Sequence, residues 1–201
     1  MNRLESRTIT LFSYRFFHDI FVRGNLRTWR NGETDVFLTG VDNDIIFVFT
    51  HIIKHFYKGG IGLRQICDWC RLLWTYRDSV DVPLLESRLR SMRLLSEWKA
   101  FAAYAVDYLG MPAESMPLYD ASGRWTRKAR RIHSFILKVG NFGHNRDLSY
   151  YGKYPYLLRK TISMFQRLAD LCRHALIFPL DSVRFLPHIL LRGFEAAVNG
   201  E

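Results

Sequence analysis

Between Asp42-Asn43-Asp44 and Gly59-Gly60 the chain carries Ile45, Ile46, Phe47, Val48, Phe49, Ile52, Ile53 and Phe56. This run constrains the fold more than any other stretch. Acidic and amide side chains before it offer a helix cap, and paired glycines after it offer a stop. Apolar residues on nearly every side predict a central, buried helix, with a strand as the competing reading at its β-branched start.

The punctuation downstream continues in the same style. Leu63, Ile66, Cys67, Cys70, Leu73 and Trp74 recur at helical spacing and predict a helix over Leu63–Tyr76. Asp81 and Pro83 form a cap and first-turn proline for a third, running to about Met92. A fourth spans Leu95–Leu109, closed by Gly110 and Pro112, and a basic one runs from Gly123 to just before Gly140. Asn141–Pro155 is too rich in Gly, Asn and Tyr for a regular element. Helices over Tyr156–Ile177 and Ser182–Val198 follow, Pro187 beginning or kinking the second. Before Asp42, Phe12, Phe16, Phe17, Ile20 and Phe21 suggest one amphipathic helix, then a Gly- and Asn-containing connection through Thr39. The expected fold is mainly α, a single globular domain of about six to eight helices. Residues 1–41 would supply an N-terminal helix and connection, and 42–201 the helical domain.

With 201 residues and 48% hydrophobic composition, the chain can bury one core, which excludes wholesale disorder. Three cysteines argue against a disulfide-stapled secreted module. No apolar stretch is long enough to span a membrane, and charges interrupt the start where a signal peptide needs an apolar run. The expected setting is cytoplasmic, with no membrane partner. Charge is uneven. Residues 1–120 carry 15 basic and 14 acidic side chains, whereas 121–201 carry 14 and 5. Such a surface attracts phosphates, nucleic acid, anionic lipid or an acidic partner, or is simply a solvated Arg-rich helix.

The densest polar cluster runs from His51 to Asp68. His51 and His55 share one helix face, as two metal ligands would, but Ile52 stands where a zincin has Glu and no third ligand has recognisable spacing. Hydrogen-bonded histidines are the favoured reading. Gly59-Gly60-Ile61-Gly62 could turn backbone N–H groups toward an anion at the next helix start, or could equally form a tight interhelix turn. Arg64 in that helix's first turn opposes the macrodipole, and Asp68 four residues on is its simplest partner. Cys67-Asp68-Trp69-Cys70 has Cys-x-x-Cys spacing without the context for redox or zinc, so both thiols are expected in the buried stripe. In Gly140-Asn141-Phe142-Gly143-His144, His144 is a better polar candidate than the isolated His133, His174 and His188. Arg124, Arg127, Lys128, Arg130 and Arg131 surround Trp125, a pattern suited to phosphate contact or base stacking, with a solvated face as the favoured reading.

Two strings, Asp44 through Asp68 (His51, Lys54-His55-Phe56, Gly59-Gly60-Ile61-Gly62-Leu63-Arg64-Gln65) and Gly140-Asn141-Phe142-Gly143-His144, in that order, resemble the C-terminal helical half of the uncharacterised nucleotidyltransferase family common in Bacteroidetes. Asn2-Arg3-Leu4 and the Phe-rich stretch after it resemble where that half begins, so the resemblance spans nearly the whole chain. It implies a two-part enzyme whose polymerase-β-like α/β half carries a Gly-Ser turn and an Asp-x-Asp pair for Mg²⁺ and NTP. The helical half closes over nucleotide and acceptor.

The catalytic motif is not in this chain. Its one Asp-x-Asp string, Asp42-Asn43-Asp44, follows no Gly-Ser turn and sits at a helix cap, so no metal and no catalytic residue is assigned. The resemblance implies Mg²⁺ and NTP for the full family, and here a substrate-side part that is not catalytic alone, with a separately encoded or missing catalytic half as its partner. Its candidate nucleotide- or substrate-binding residues are His51, Lys54, His55, Arg64, Asp68 and His144. Lys54 and Arg64 would neutralise phosphate, the histidines would hydrogen-bond phosphate or acceptor, and Asp68 would orient Arg64. The competing function is a non-catalytic module that binds nucleic acid or an acidic partner through the basic C-terminal part.

Overall fold

A computed structural model describes residues 26–58, 60–139 and 154–179. The proposed helices around Phe12–Phe21 and Ser182–Val198, and the 141–153 segment with His144, lie outside the described residues. Within them the chain is one mainly α domain of six helices and a single hairpin.

The hairpin occupies part of the stretch expected as a connection. β1 (Leu26–Asn31) and β2 (Thr34–Thr39) pair antiparallel, with Asn31 opposite Thr34 and Leu26 opposite Thr39. Gly32 opens the two-residue loop at φ +63, where a primed hairpin turn needs a residue without Cβ. Arg27 anchors this ribbon. Its Nε donates to the Thr39 carbonyl at 2.9 Å, its guanidinium pairs with the Asp44 carboxylate, and it lies 4.9 Å over the Tyr76 ring.

α1 (Val41–Lys58) begins where the Gly40 carbonyl accepts from Asn43 and Asp44 N–H groups. Asp42 and Asp44 therefore lie inside the first turn, where carboxylates favour the helix dipole, rather than at the cap. The helix closes with the Gly60 N–H returning to the His55 carbonyl at 3.1 Å, Gly60 adopting φ +102.

α2 (Leu63–Thr75) follows, then α3 (Val82–Ser91), whose Asp81 carboxylate caps the Leu84 N–H at 2.9 Å. Asp42 ties α3 to α1. Its carboxylate accepts from the Asp81 N–H, and its carbonyl accepts from Arg88. α4 (Leu95–Leu109) ends on left-handed Gly110 at φ +74. A short 3₁₀ turn at Ala113–Ser115 leads to α5 (Gly123–Val139), and α6 (Tyr156–Ile177) completes the described set.

The central helix is α4, not α1. Every residue from Trp98 to Ala105 except Lys99 is buried, and alanines at 100, 102, 103 and 105 let neighbouring helices approach closely. α1 is instead amphipathic: Phe47 is 54% exposed, and His51 and Lys54 face solvent. The apolar run still dominates the core through its other face. Phe49 meets Trp98 edge-on at 4.8 Å and Trp69 at 5.4 Å, while Trp69 meets Trp98 at 4.9 Å. Phe56 meets Phe101 at 5.3 Å and Phe135 at 5.0 Å. Such edge-to-face pairs contribute roughly 0.5–1.5 kcal/mol each beyond the area they bury.

Candidate functional site

The described candidates lie on α1 and in the first turns of α2, with His51, Lys54, Arg64 and Asp68 exposed and His55 half-buried. His51, Lys54 and His55 share one face of α1 because residues three and four apart lie above one another. The two imidazoles bond Nε2 to Nε2 at 2.9 Å, so at least one ring is neutral to accept the other's proton. Their rings meet at 4.4 Å, and Phe47, one turn earlier, stacks near His51 at 6.4 Å. The histidines thus satisfy each other, the reading favoured over metal ligation. Among the described residues no group of three or more His, Cys, Asp and Glu side chains is arranged to hold an ion.

The turn that follows is built by its own hydrogen bonds. The Gly60 N–H is taken by the His55 carbonyl and the Gly62 N–H by Gln65 Oε1 at 2.9 Å. Ile61 between them is fully buried. These two amides are therefore spent on the interhelix turn and are not donors to an anion. Arg64 and Asp68 do approach each other, Nε to Oδ2 at 3.9 Å, with side chains 93% and 67% exposed. An ion pair so open to water adds little stability, so Arg64 stays available to a solvent anion. Among the described residues no hydrogen bond or ion pair links Arg64 or Asp68 to the histidines. Among the described residues these side chains form an open, cationic ledge along α1 and the start of α2.

Asp42 and Asp44 do not suit Mg²⁺. Asp44 is engaged by Arg27 and the Thr39 hydroxyl, and Asp42 holds the start of α3. An ion there would have to break the contacts that seat the hairpin and α3.

Two expectations need correction, for Cys67 and for Lys128, and one alternative, Trp125 as a stacking platform, falls away. Cys67 is exposed and Cys70 half-buried, because the buried stripe of α2 runs through Ile66, Trp69 and Leu73, which places Cys67 off its edge. Burial first, and Cys67 second, push the Cys70 thiol up to about 12. Trp125 is not free to stack on a base. It is buried, its indole N–H donates to Asp120 at 2.9 Å, and Arg124 and Lys128 lie over its ring. Lys128 leaves the exposed run, donating to Ser96 Oγ at 3.1 Å and resting 4.4 Å over Phe178.

A buried polar group that local sequence pattern does not display lies in the core beside Tyr57. Glu97 is fully buried, and the Tyr57 hydroxyl donates to its Oε1 at 3.4 Å. His174, treated as isolated, packs at 5.2 Å from Tyr57, 4.8 Å from Phe56 and 4.5 Å from Phe135. The available signal was Glu97 standing at the third position of an alanine-rich helix whose residues from Trp98 to Val106 are apolar or aromatic except for Lys99.

Residues 9–110 match the family model described as uncharacterised nucleotidyltransferase. That span takes in the hairpin, α1–α4 and His51, Lys54, His55, Arg64 and Asp68, and stops at Gly110, before the Gly140–His144 string. No curated protein and no solved structure gives a match.

Proposed function

Because the chain belongs to the uncharacterised nucleotidyltransferase family, we propose that its helical domain is the substrate side of a nucleotidyl-transfer site. It would hold the NTP, or the acceptor that receives the nucleotidyl group, and would not catalyse transfer alone. One observation carries this reading. The hydrogen-bonded His51–His55 pair and Lys54 on α1 are followed, after a short turn with hydrogen bonds at Gly60 and Gly62, by Arg64 at the start of α2, all inside the matched span.

Lys54 and Arg64 neutralise phosphate charge as an ammonium and a guanidinium fork. The imidazole pair presents a hydrogen-bonding edge to a phosphate or acceptor oxygen and moves its shared proton between two Nε2 atoms. Asp68 limits the swing of Arg64, and His144 joins the binding set from outside the described residues. In the family reading, metal ions would stabilise the attacking and leaving oxygens. Among the described residues no carboxylate pair is free for that work, and in this reading a separate catalytic half would supply it. Exposure of the ledge favours this arrangement, since a half-site needs a second wall.

Calorimetric titration with each of the four NTPs tests the assignment. Saturable binding is expected, weakened about tenfold in Arg64→Ala and Lys54→Ala, as loss of a charge-assisted hydrogen bond implies. His55→Ala should weaken it too, while helicity stays at the wild-type level. Affinity indifferent to all three substitutions would refute it.

A further inference from the structure

We propose that the solvent face of α5 is a docking surface for the phosphate backbone of a double-stranded nucleic acid. α5 lies beyond residues 9–110, so this surface is separate from the family match, and it stands whether or not the α1–α2 ledge binds nucleotide.

α5 contains Arg124, Arg127, Lys128, Arg130, Arg131 and Lys138, and no acidic residue. Its apolar face is committed to the core through Trp125, Ala129, Ile132, Phe135, Ile136 and Val139. The opposite face is therefore fixed toward solvent. Arg127, Arg131, Ser134 and Lys138 form one line at steps of four, three and four residues, flanked by Arg124 and Arg130, and all six are exposed.

Among the described residues Arg124, Arg127, Arg130, Arg131 and Lys138 make no ion pair with a carboxylate. Arg131 donates to the Leu176 carbonyl, a contact that leaves its charge unneutralised. Like charges three and four apart weaken a helix, and cations in its first turn oppose its dipole. A polyanion laid along the face relieves both.

Charge and shape select the partner. From Arg124 to Lys138 the line is about 21 Å long at 1.5 Å per residue, the span of roughly six phosphates on one strand of a duplex. Arginine dominates, and its planar fork matches phosphate oxygens. An amphipathic membrane helix must insert its apolar face, but that face of α5 is buried in the protein and Leu137 alone among its large apolar side chains is exposed. Single-stranded binding relies on exposed aromatic platforms, but the aromatic residues Trp125 and Phe135 are buried. The length of the line, its arginine content and its regular steps fit sequence-independent contact with a duplex backbone.

Anisotropy of a labelled 20-base-pair duplex, titrated with the full chain between 50 and 200 mM salt, tests the proposal. With four or five cations engaged, log affinity should fall against log salt with a slope of roughly −3.6 to −4.5, and equally for two unrelated sequences. Arg127→Gln/Arg131→Gln should make that slope shallower by roughly 1.8, with helicity unchanged. Arg30→Gln/Arg77→Gln, an equal charge change away from α5, should leave it within error. The proposal is overturned if the control pair removes as much slope, if the α5 pair removes none, or if no binding is seen at 50 mM salt. Tighter binding to the single strand, or to phosphatidylserine vesicles, overturns it as well.

Discussion

Truncating Phe56 to alanine strikes the point where the ledge is attached to the core. The ring is fully buried and touches side chains of three other helices and the segment after α6: Phe101 at 5.3 Å, Phe135 at 5.0 Å, His174 at 4.8 Å and Phe178 at 6.3 Å. Phe→Ala in a core costs about 3–5 kcal/mol, least where surrounding groups collapse into the gap. Here the lining rings sit on separate rigid elements, so little collapse is expected and the upper half of that range applies.

Unfolding entropy near 60 °C is about 2.1 cal/mol/K per residue. For 201 residues this makes about 4 kcal/mol equivalent to a fall of about 10 °C in Tm. Phe47→Ala, two and a half turns earlier on the exposed face, removes a ring that is already 54% in water and should move Tm by about 1–2 °C at most. Thermal unfolding followed by circular dichroism at 222 nm measures both. A Phe56→Ala shift under about 3 °C, or equal shifts for the two variants, would refute the packing argument.

Three further outcomes follow from particular contacts. The Ser122 N–H, the Lys99 ammonium and the Trp125 indole hold the Asp120 carboxyl well below the ordinary carboxylate range. Its contribution is complete above the unfolded value of about 3.9 and is lost as pH falls below it, so acid titration should destabilise wild type more steeply than Asp120→Asn. Parallel acid limbs would contradict this. At pH 8 a maleimide should label exposed Cys67 at least about a hundredfold faster than Cys70, whose thiolate is suppressed by burial, as peptide mapping by mass spectrometry would report. Comparable rates would count against the α2 register. Arg27→Ala should speed amide exchange across Leu26–Thr39 about 5–30-fold, a local loss of roughly 1–2 kcal/mol, with little change in Tm. Unchanged exchange there would show that Arg27 does not anchor the hairpin.

Helix positions were legible because their signals are local. Asp81 with Pro83, and Gly110 after Leu109, act through contacts within a few residues, and the structure begins and ends α3 and α4 there. The hairpin was missed although Gly32 lies between two six-residue runs rich in Thr, Val, Phe, Trp and Leu. Its stability depends on Arg27 reaching Asp44 and Tyr76, partners that local patterning does not display.

Which helix is central was misjudged for a related reason. Hydrophobicity favours α1, but burial goes to α4, whose small alanines permit close approach on all sides. At the site, helical spacing was enough to bring His51 to His55 and Arg64 toward Asp68. The use of the glycine N–H groups, the burial of Trp125 and the Tyr57–Glu97–His174 group all depend on tertiary contacts.

The central proposal is that this domain holds substrate for a nucleotidyl transfer that it does not carry out alone. Incubating the purified chain with Mg²⁺ and each α-labelled NTP, while following pyrophosphate release, tests that claim directly. The account expects nucleotide binding that depends on Arg64, with no pyrophosphate above the enzyme-free rate. Sustained pyrophosphate release by the chain alone would contradict it.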